Sequence, residues 1–368
     1  MKIVVLSSHT PSLFWFRLDM MNAFRDRGHT VSAVGDQEES LWADRFAAHG
    51  IRYRAASICR NGTNPLHDLK TLLSLWKILQ EEKPDAVFTY QAKTVIYGTL
   101  AANSLGIWNV YPLIAGVGSI FLAEDLKSRF IRKVLCLEYR FSMRKCPCVF
   151  FQNEDDIKTF RAHRILGLQP VALLRGSGVD LERFYPTPLP ERFSVLCVAR
   201  LIRDKGIMEY LEACKRLKML HPEIHCMLIG PFDSNPSAIT EKELQPYVSA
   251  GIVDYFGEQA DVVPYLQQCS VFVLPSYREG TPKTVLEAMA CSRAVITTDA
   301  PGCRETVQDG KNGYLVPVRN VSEIVRCVET LRNDPDLLRK MANHGRVMAE
   351  TIFDVKRVNQ TIMDTMKL

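Results

Sequence analysis

The chain has 368 residues, 47% of them hydrophobic and 24% charged, which is enough apolar material for two cores of ordinary domain size. Its net charge of +5 sits in the first half, with 24 Lys and Arg against 18 Asp and Glu up to Tyr185 and 22 against 23 beyond it, and no nucleic-acid partner is expected. No uninterrupted apolar run reaches the roughly 18 residues of a membrane-spanning helix, and Met1-Lys2-Ile3-Val4-Val5-Leu6 is too short for a signal peptide, so a cytoplasmic protein is expected.

Residues 3–8 read as an apolar strand, followed by the polar turn Ser7-Ser8-His9-Thr10-Pro11 and an amphipathic helix over about 13–27 that Gly28 ends. His29–Gly35 reads as the next strand. The alternation continues with a helix near 41–49, a strand near Tyr53, a helix over 66–82, a strand over 84–90, a helix over 94–105 and a strand over 109–114. Strands at 149–152 and 171–174 finish a first domain, 1–185. Three prolines in the five residues from Pro186 to Pro190 suggest a linker.

A second domain over 193–345 begins the pattern again. It has a strand at 193–199, a helix at 206–219, strands at 225–229 and 253–256, a helix at 262–269, strands at 271–274 and 294–297, and helices from Val321 onward. Strands alternating with helices imply an α/β protein with parallel sheets covered on both faces. The last stretch, 346–368, reads as a helix that could cross back to the first domain.

Eleven cysteines are scattered and mostly inside apolar runs, so reduced, buried thiols are expected. Only Cys146 and Cys148 are close, with no second pair or suitably spaced His to complete a zinc site. After Phe121, basic residues from Lys127 to Lys145 alternate with Phe130, Ile131, Val134, Leu135, Leu137 and Phe141. Such a helix suits an anionic membrane surface, and equally a helix packed on its domain with a solvated basic face.

The densest chemistry lies between Ser276 and Ala290. Val271–Leu274 is a short buried strand, Pro275 closes it, and Thr281 and Pro282 read as the N-cap and first residue of a helix. A helix N-terminus at the carboxyl end of a parallel strand offers N–H donors to a phosphate or sugar. Glu279 precedes that helix, and Glu287 lies within it among Val285, Leu286, Ala288 and Met289, where a carboxylate invites a buried, partnered role. The turn Arg200–Gly206 sets Arg200 and Lys205 beside another helix start, a receptor for a diphosphate. Gly116 and Gly118 resemble part of a dinucleotide fingerprint whose third glycine is missing, which argues against a nicotinamide or flavin enzyme. They either bring backbone amides to a ligand or form a tight turn.

The two doubly wound halves, Gly178-Val179-Asp180, Arg200 with Lys205-Gly206, and Glu279-Gly280 followed by Leu286-Glu287-Ala288 together resemble the family 4 retaining glycosyltransferases. The resemblance spans nearly the whole chain and implies the GT-B fold, two Rossmann-like domains facing a central cleft. It further implies a metal-independent transferase without a cofactor, in which Arg200 and Lys205 bind the donor diphosphate and Glu287 the ribose. Glu279 would lie against the transferred sugar, with Gly280, Thr281, Pro282 and Lys283 nearby and Gly257 bordering the base.

Phe16-Arg17, Tyr97–Ala102 and Gly116–Ser119 resemble bacterial N-acetylgalactosaminyltransferases that extend polyprenyl-diphosphate-linked saccharides. The partners so implied are a UDP-sugar, a polyprenyl-diphosphate acceptor near Arg17, Gly116 and Gly118, and an anionic membrane surface, with the protein peripheral on the inner face of the plasma membrane. That branch often carries a Glu where this chain has Ala115, so no protein base is assigned; the departing phosphate itself can take the acceptor's proton. Two other readings stand beside the transferase, a sugar-nucleotide epimerase of the same fold and a noncatalytic sugar-nucleotide-binding membrane adaptor.

Overall fold

Runs of Val, Ile, Leu and Phe too short for helices, each closed by polar or glycine turns, form the strands, and longer amphipathic stretches between them form the helices. The computed structural model describes residues 1–59, 64–121, 125–233, 235 and 237–368. They form two compact units, Met1–Ser177 with Val358–Leu368, and Gly178–Arg357.

In the first unit the order is β1 (Lys2–Ser7), α1 (Thr10–Asp26), β2 (Thr30–Gly35), α2 (Glu39–Ala47), β3 (Arg52–Ala55), α3 (Pro65–Glu82) and β4 (Ala86–Tyr90). It continues through α4 (Thr99–Ser104), β5 (Val110–Ile114), α5 (Leu126–Met143), β6 (Val149–Phe151), α6 (Glu154–Ala162) and β7 (Val171–Leu173). All seven strands are parallel, in the spatial order β3-β2-β1-β4-β5-β6-β7. The period of two along β1 sends Ile3 and Val5 to one face and Val4 and Leu6 to the other. The first face packs on α1 and α2, the second on α3, α4 and α5. Strand order reverses between β1 and β4, where the loops leaving the two carboxyl ends diverge and open a crevice.

The second unit repeats the plan. Its elements are β8 (Ser194–Val198), α7 (Ile207–Leu220), β9 (His225–Ile229), α8 (Glu241–Ser249), β10 (Asp254–Tyr255), α9 (Val263–Gln267), β11 (Val271–Leu274), α10 (Lys283–Ala290), β12 (Ala294–Thr298), β13 (Gly313–Val316), α11 (Val321–Asn333) and α12 (Pro335–Thr351). The parallel sheet runs β10-β9-β8-β11-β12-β13, reversing between β8 and β11.

Some expectations need correcting. The proline stretch is not a free linker but part of the second unit. Fully buried Arg293 holds it there, Nη1 donating to Thr187 O at 3.1 Å, while Nε and Nη2 donate to Leu266 O and Gln267 O at 2.8 and 2.9 Å. Burial lowers the Arg293 pKa. Arg293→Met strips buried carbonyls of their donor, so a loss of about 3 kcal/mol is expected, visible as a lower Tm. The segment 94–105 is not one regular helix: a wide π turn spans Thr94–Gly98 before α4. A Cβ on Gly98 would lie 2.6 Å from Leu6 Cδ1, so the turn packs directly on β1.

Within 346–368, the first residues complete α12 in the second unit, and the last helix, α13 (Val355–Met366), sends Val358, Ile362, Met363 and Met366 into the first unit's core. Arg27 then donates to Leu368 O and Gln360 Oε1, both at 2.7 Å.

Candidate active site

In the second unit, glycines and backbone hydrogen bonds fasten the loops leaving the carboxyl ends of the strands to one another. Gly206 follows the short turn Arg203–Lys205 with φ +69, and a Cβ there would lie 2.0 Å from Pro275 O. Only glycine lets the β8 loop close on the end of β11. Tyr277 N and Ser276 Oγ both donate to Asp204 O, at 2.8 and 3.1 Å. Glu279 N donates to Pro301 O at 2.9 Å, and a Cβ on Gly302 would lie 2.2 Å from Glu279 O. The loops after β8, β11 and β12 are thus fixed together around Lys205 and Glu279.

Lys205 Nζ forms an ion pair with Glu279 Oε1, and both side chains are largely buried. Arg200 Nη1 pairs with Asp233 Oδ2 at 2.7 Å, in the loop after β9. Asp233 is a partner that sequence reasoning missed, because nothing local connects it to Arg200. Helix α10 begins at Lys283, one residue later than expected, since Pro282 is extended (ψ 109) and occupies the capping position in place of Thr281. Pro282 O accepts from Val285 N at 3.1 Å, which opens the helix. Gly280 and Thr281 precede this N-terminus. Gly257 follows β10 with φ +69, its O accepting from Gly230 N at 2.9 Å, and its α-carbon faces open space.

Glu287, one turn into α10, is only 8% exposed. Among the described residues its carboxylate has neither a hydrogen bond nor an ion pair. Burial pushes its pKa up to about 7, against the opposing pull of Lys283 and Arg183. A buried carboxylate that lacks donors suits a ligand bringing hydroxyl groups.

The acceptor candidates lie in the first unit. Arg17 is on α1, 3% exposed, with its guanidinium 5.2 Å from the centre of the Tyr90 ring. Its Nε is buried without a hydrogen-bond partner, and among the described residues no carboxylate pairs with it. Burial pulls its pKa down to about 10. At the end of β4, Gln91 has φ +73 and Oε1 accepts from Ser7 and Ser8 hydroxyls at 3.1 and 2.8 Å. Gln91 Nε2 donates to Ser12 Oγ at 2.9 Å, and Ser12 Oγ lies 3.1 Å from Tyr90 Oη. The network stands at the β1/β4 reversal; the sequence shows Ser7 and Ser8 only as a polar turn and gives Gln91 and Ser12 no role, because their contacts join segments 79 to 84 residues apart. Gly116 and Gly118 follow β5 with φ +122 and +77. His9 caps α1, its Nδ1 accepting from Ser12 N at 3.3 Å.

All eleven cysteines are free, ten of them buried. Among the described residues no cluster of three His, Cys, Asp or Glu side chains has a metal-binding arrangement, and no helix is long and apolar enough to cross a membrane.

Residues 16–165 match the family model of the glycosyl transferase 4-like domain, and residues 181–348 that of glycosyl transferases group 1. The chain belongs to the glycosyltransferases. This glycosyltransferase is 28% identical over 94% of its length, and 93% of the relative's, to the N,N'-diacetylbacillosaminyl-diphospho-undecaprenol alpha-1,3-N-acetylgalactosaminyltransferase of Campylobacter jejuni. It is 26% identical, over 83% of this chain and 80% of the relative, to the Escherichia coli UDP-Gal:alpha-D-GlcNAc-diphosphoundecaprenol alpha-1,3-galactosyltransferase. Sucrose-phosphate synthase from Thermosynechococcus elongatus matches all of the chain and 98% of its own length with a TM-score of 0.84 at 18% identity. Anabaena HepE, solved with UDP, matches over the full length of both chains with a TM-score of 0.80 at 18% identity. The expected GT-B fold class is therefore correct for this glycosyltransferase.

Proposed function

We propose that this glycosyltransferase moves a sugar, an N-acetylhexosamine by resemblance, from a UDP-sugar to a polyprenyl-diphosphate-linked saccharide with retention of anomeric configuration. The observation that carries the proposal is the second unit's cluster: Lys205 paired with Glu279, Arg200 nearby in sequence, and donor-poor Glu287 buried one turn into α10. Arg200 and Lys205 bind the diphosphate and stabilise its departure, so that no metal is required. Glu279 faces the transferred sugar beside Gly280, Thr281, Pro282 and Lys283, Glu287 holds the ribose hydroxyls, and Gly257 borders the base.

Both relatives described above are named for diphosphoundecaprenol acceptors and alpha-1,3 products, which supports a lipid-linked acceptor. An α-linked product from an α-linked nucleotide sugar is retention. Arg17 receives the acceptor's diphosphate, with the amides at Gly116 and Gly118 close by. The basic residues of α5 lie on an anionic membrane surface, keeping the enzyme peripheral on the cytoplasmic face.

The test incubates the full chain with a panel of UDP-sugars and polyprenyl-diphosphate monosaccharides and determines product linkage by NMR. An α-linked product is expected. Conversion of UDP-sugars without lipid would establish the epimerase, and UDP-sugar binding without turnover on any acceptor would establish the adaptor.

The role of Glu287 has its own pH signature. Hydroxyl donors favour the ionised carboxylate, so UDP affinity should rise with pH through the free pKa of about 7. The ionised fraction goes from about a tenth to a half between pH 6 and 7, giving roughly fivefold tighter binding. Glu287→Gln should bind UDP more weakly and lose this increment, leaving only UDP's own titration. Calorimetry across that range reads both effects, and an unchanged pH slope in the variant would remove Glu287 from the ribose.

A further inference from the structure

On the face of the first unit covered by α3, α4 and α5 lies a groove of about 770 Å³. Leu73, Trp76, Leu100, Trp108 and Phe141 give it an apolar lining, to which Ser104 and the exposed Arg144 and Lys145 also contribute. The Lys145 ammonium stands 4.3 Å from the centre of the Trp108 ring. The groove is at the amino-terminal side of the sheet, since Ser104 ends α4, Trp108 precedes β5, and Phe141 to Lys145 close α5 ahead of β6.

An apolar stripe leads to it. Leu126, Phe130, Val134, Leu137 and Phe141 of α5 are all exposed, Phe130 and Phe141 at 69% and 71%. At about 100° per residue they fall within an arc of roughly 80° and run the length of the helix, from the carboxyl side of the sheet to the groove. On the same geometry Lys127 flanks one side of the stripe, and Arg129, Lys133 and Arg140 the other. Of the nearby acids, Glu138 accepts from Tyr97 Oη at 2.8 Å, Asp68 is paired with Lys93, and exposed Asp125 caps α5 by accepting from Ser128 N at 2.9 Å. What this face offers is hydrocarbon contact bordered by cations, and a contiguous exposed apolar surface of this kind marks a binding site.

We propose that the stripe of α5 and the α3–α4–α5 groove form a track for the isoprenoid chain of the diphosphate-linked acceptor, the groove holding a segment of the chain beyond its head group. The proposal rests on the lipid-linked acceptor reading. It adds a second, apolar determinant of acceptor recognition, one that senses chain length. The occupant is a chain and not a protein, because the lining gives an elongated apolar partner few hydrogen-bonding groups while the bordering cations complement an anionic head.

Two of the four tryptophans, Trp76 and Trp108, line the groove and supply the probe. Titrating the full chain with farnesyl diphosphate should shift tryptophan emission to the blue in a saturable way, and inorganic diphosphate should not. Ser104→Phe, which fills the groove from an exposed position, and Phe141→Glu, which breaks the stripe, should each weaken farnesyl diphosphate binding at least tenfold. With both variants the ratio of kcat/KM for long-chain over short-chain acceptors should fall toward one. No emission change with farnesyl diphosphate, whether or not phosphatidylglycerol vesicles give one, or unaltered affinity in both folded variants would overturn the track. Failure of the acceptor reading is separable: no diphosphate-linked sugar would be turned over, while the binding titration would still report on the groove.

Discussion

Replacing Lys205 by Met is expected to lower kcat by about 10²–10³ while circular dichroism and Tm stay close to those of the parent. The magnitude is that of removing one preorganised group aimed at charge developing in the transition state, about 3–4 kcal/mol. Lys205 is placed for this role by the glycine at 206 that closes its turn on Pro275, and by its ion pair with Glu279. That pair also supplies the competing explanation, in which Lys205 merely neutralises a largely buried carboxylate. The double variant Lys205→Met/Glu279→Gln separates the two. If Lys205 serves only Glu279, the double variant turns over as fast as Glu279→Gln alone. If it stabilises the departing diphosphate, the double variant is no better than Lys205→Met alone, and Glu279→Gln by itself lowers kcat with little change in UDP affinity.

The elements legible in the sequence are those whose own burial pattern specifies them. Val271–Leu274 and His225–Ile229 coincide with β11 and β9, because a strand buried on both faces is a bare apolar run. Helix α6 was missed because only Asp156 and Phe160 of its nine residues are buried, leaving almost no periodic signal; its start is fixed by Asn153, whose side chain accepts from Asp156 N at 2.8 Å. Helix α8 was hidden by Pro246, an interior breaker that a capping box between Thr240 and Glu243 offsets. Strand β13 has only three apolar residues after Gly313, where a Cβ would lie 1.8 Å from Val295 O, so the close approach to β12 matters more than its composition.

The candidate site divides the same way. Glu279, Glu287, Arg200 and Lys205 were found because they sit at short, fixed distances from a strand end and a helix start. The pairing of Arg200 with Asp233, the network tying Gln91 to Ser7, Ser8 and Ser12, and the burial of Arg17 depend on chain segments far apart in sequence. Arg17 follows Trp15 and Phe16, which are exposed, so nothing local distinguishes it from a surface arginine.

Arg17 leads to the second large effect, in which function and stability move in opposite directions. Its pKa of about 10 keeps it charged at pH 7, and the fall from the ordinary arginine value corresponds to about 3 kcal/mol against the charged form. Buried guanidinium groups are ordinarily offset by a carboxylate, and here the described residues provide the face of Tyr90 instead. A diphosphate that reaches the guanidinium would supply the missing charge through bidentate bonds. Arg17→Met keeps the apolar stem and removes the charge, so Tm should rise or hold. The acceptor's kcat/KM should fall about 10²-fold, the loss expected from charge-assisted hydrogen bonds worth roughly 1.5–3 kcal/mol, with UDP affinity unchanged. Arg17→Lys should recover little, because a point charge lacks the planar fork. If Arg17→Met instead lowered Tm and left acceptor kinetics intact, Arg17 would be a structural group of the α1 interface, and the acceptor's diphosphate would have to be sought elsewhere.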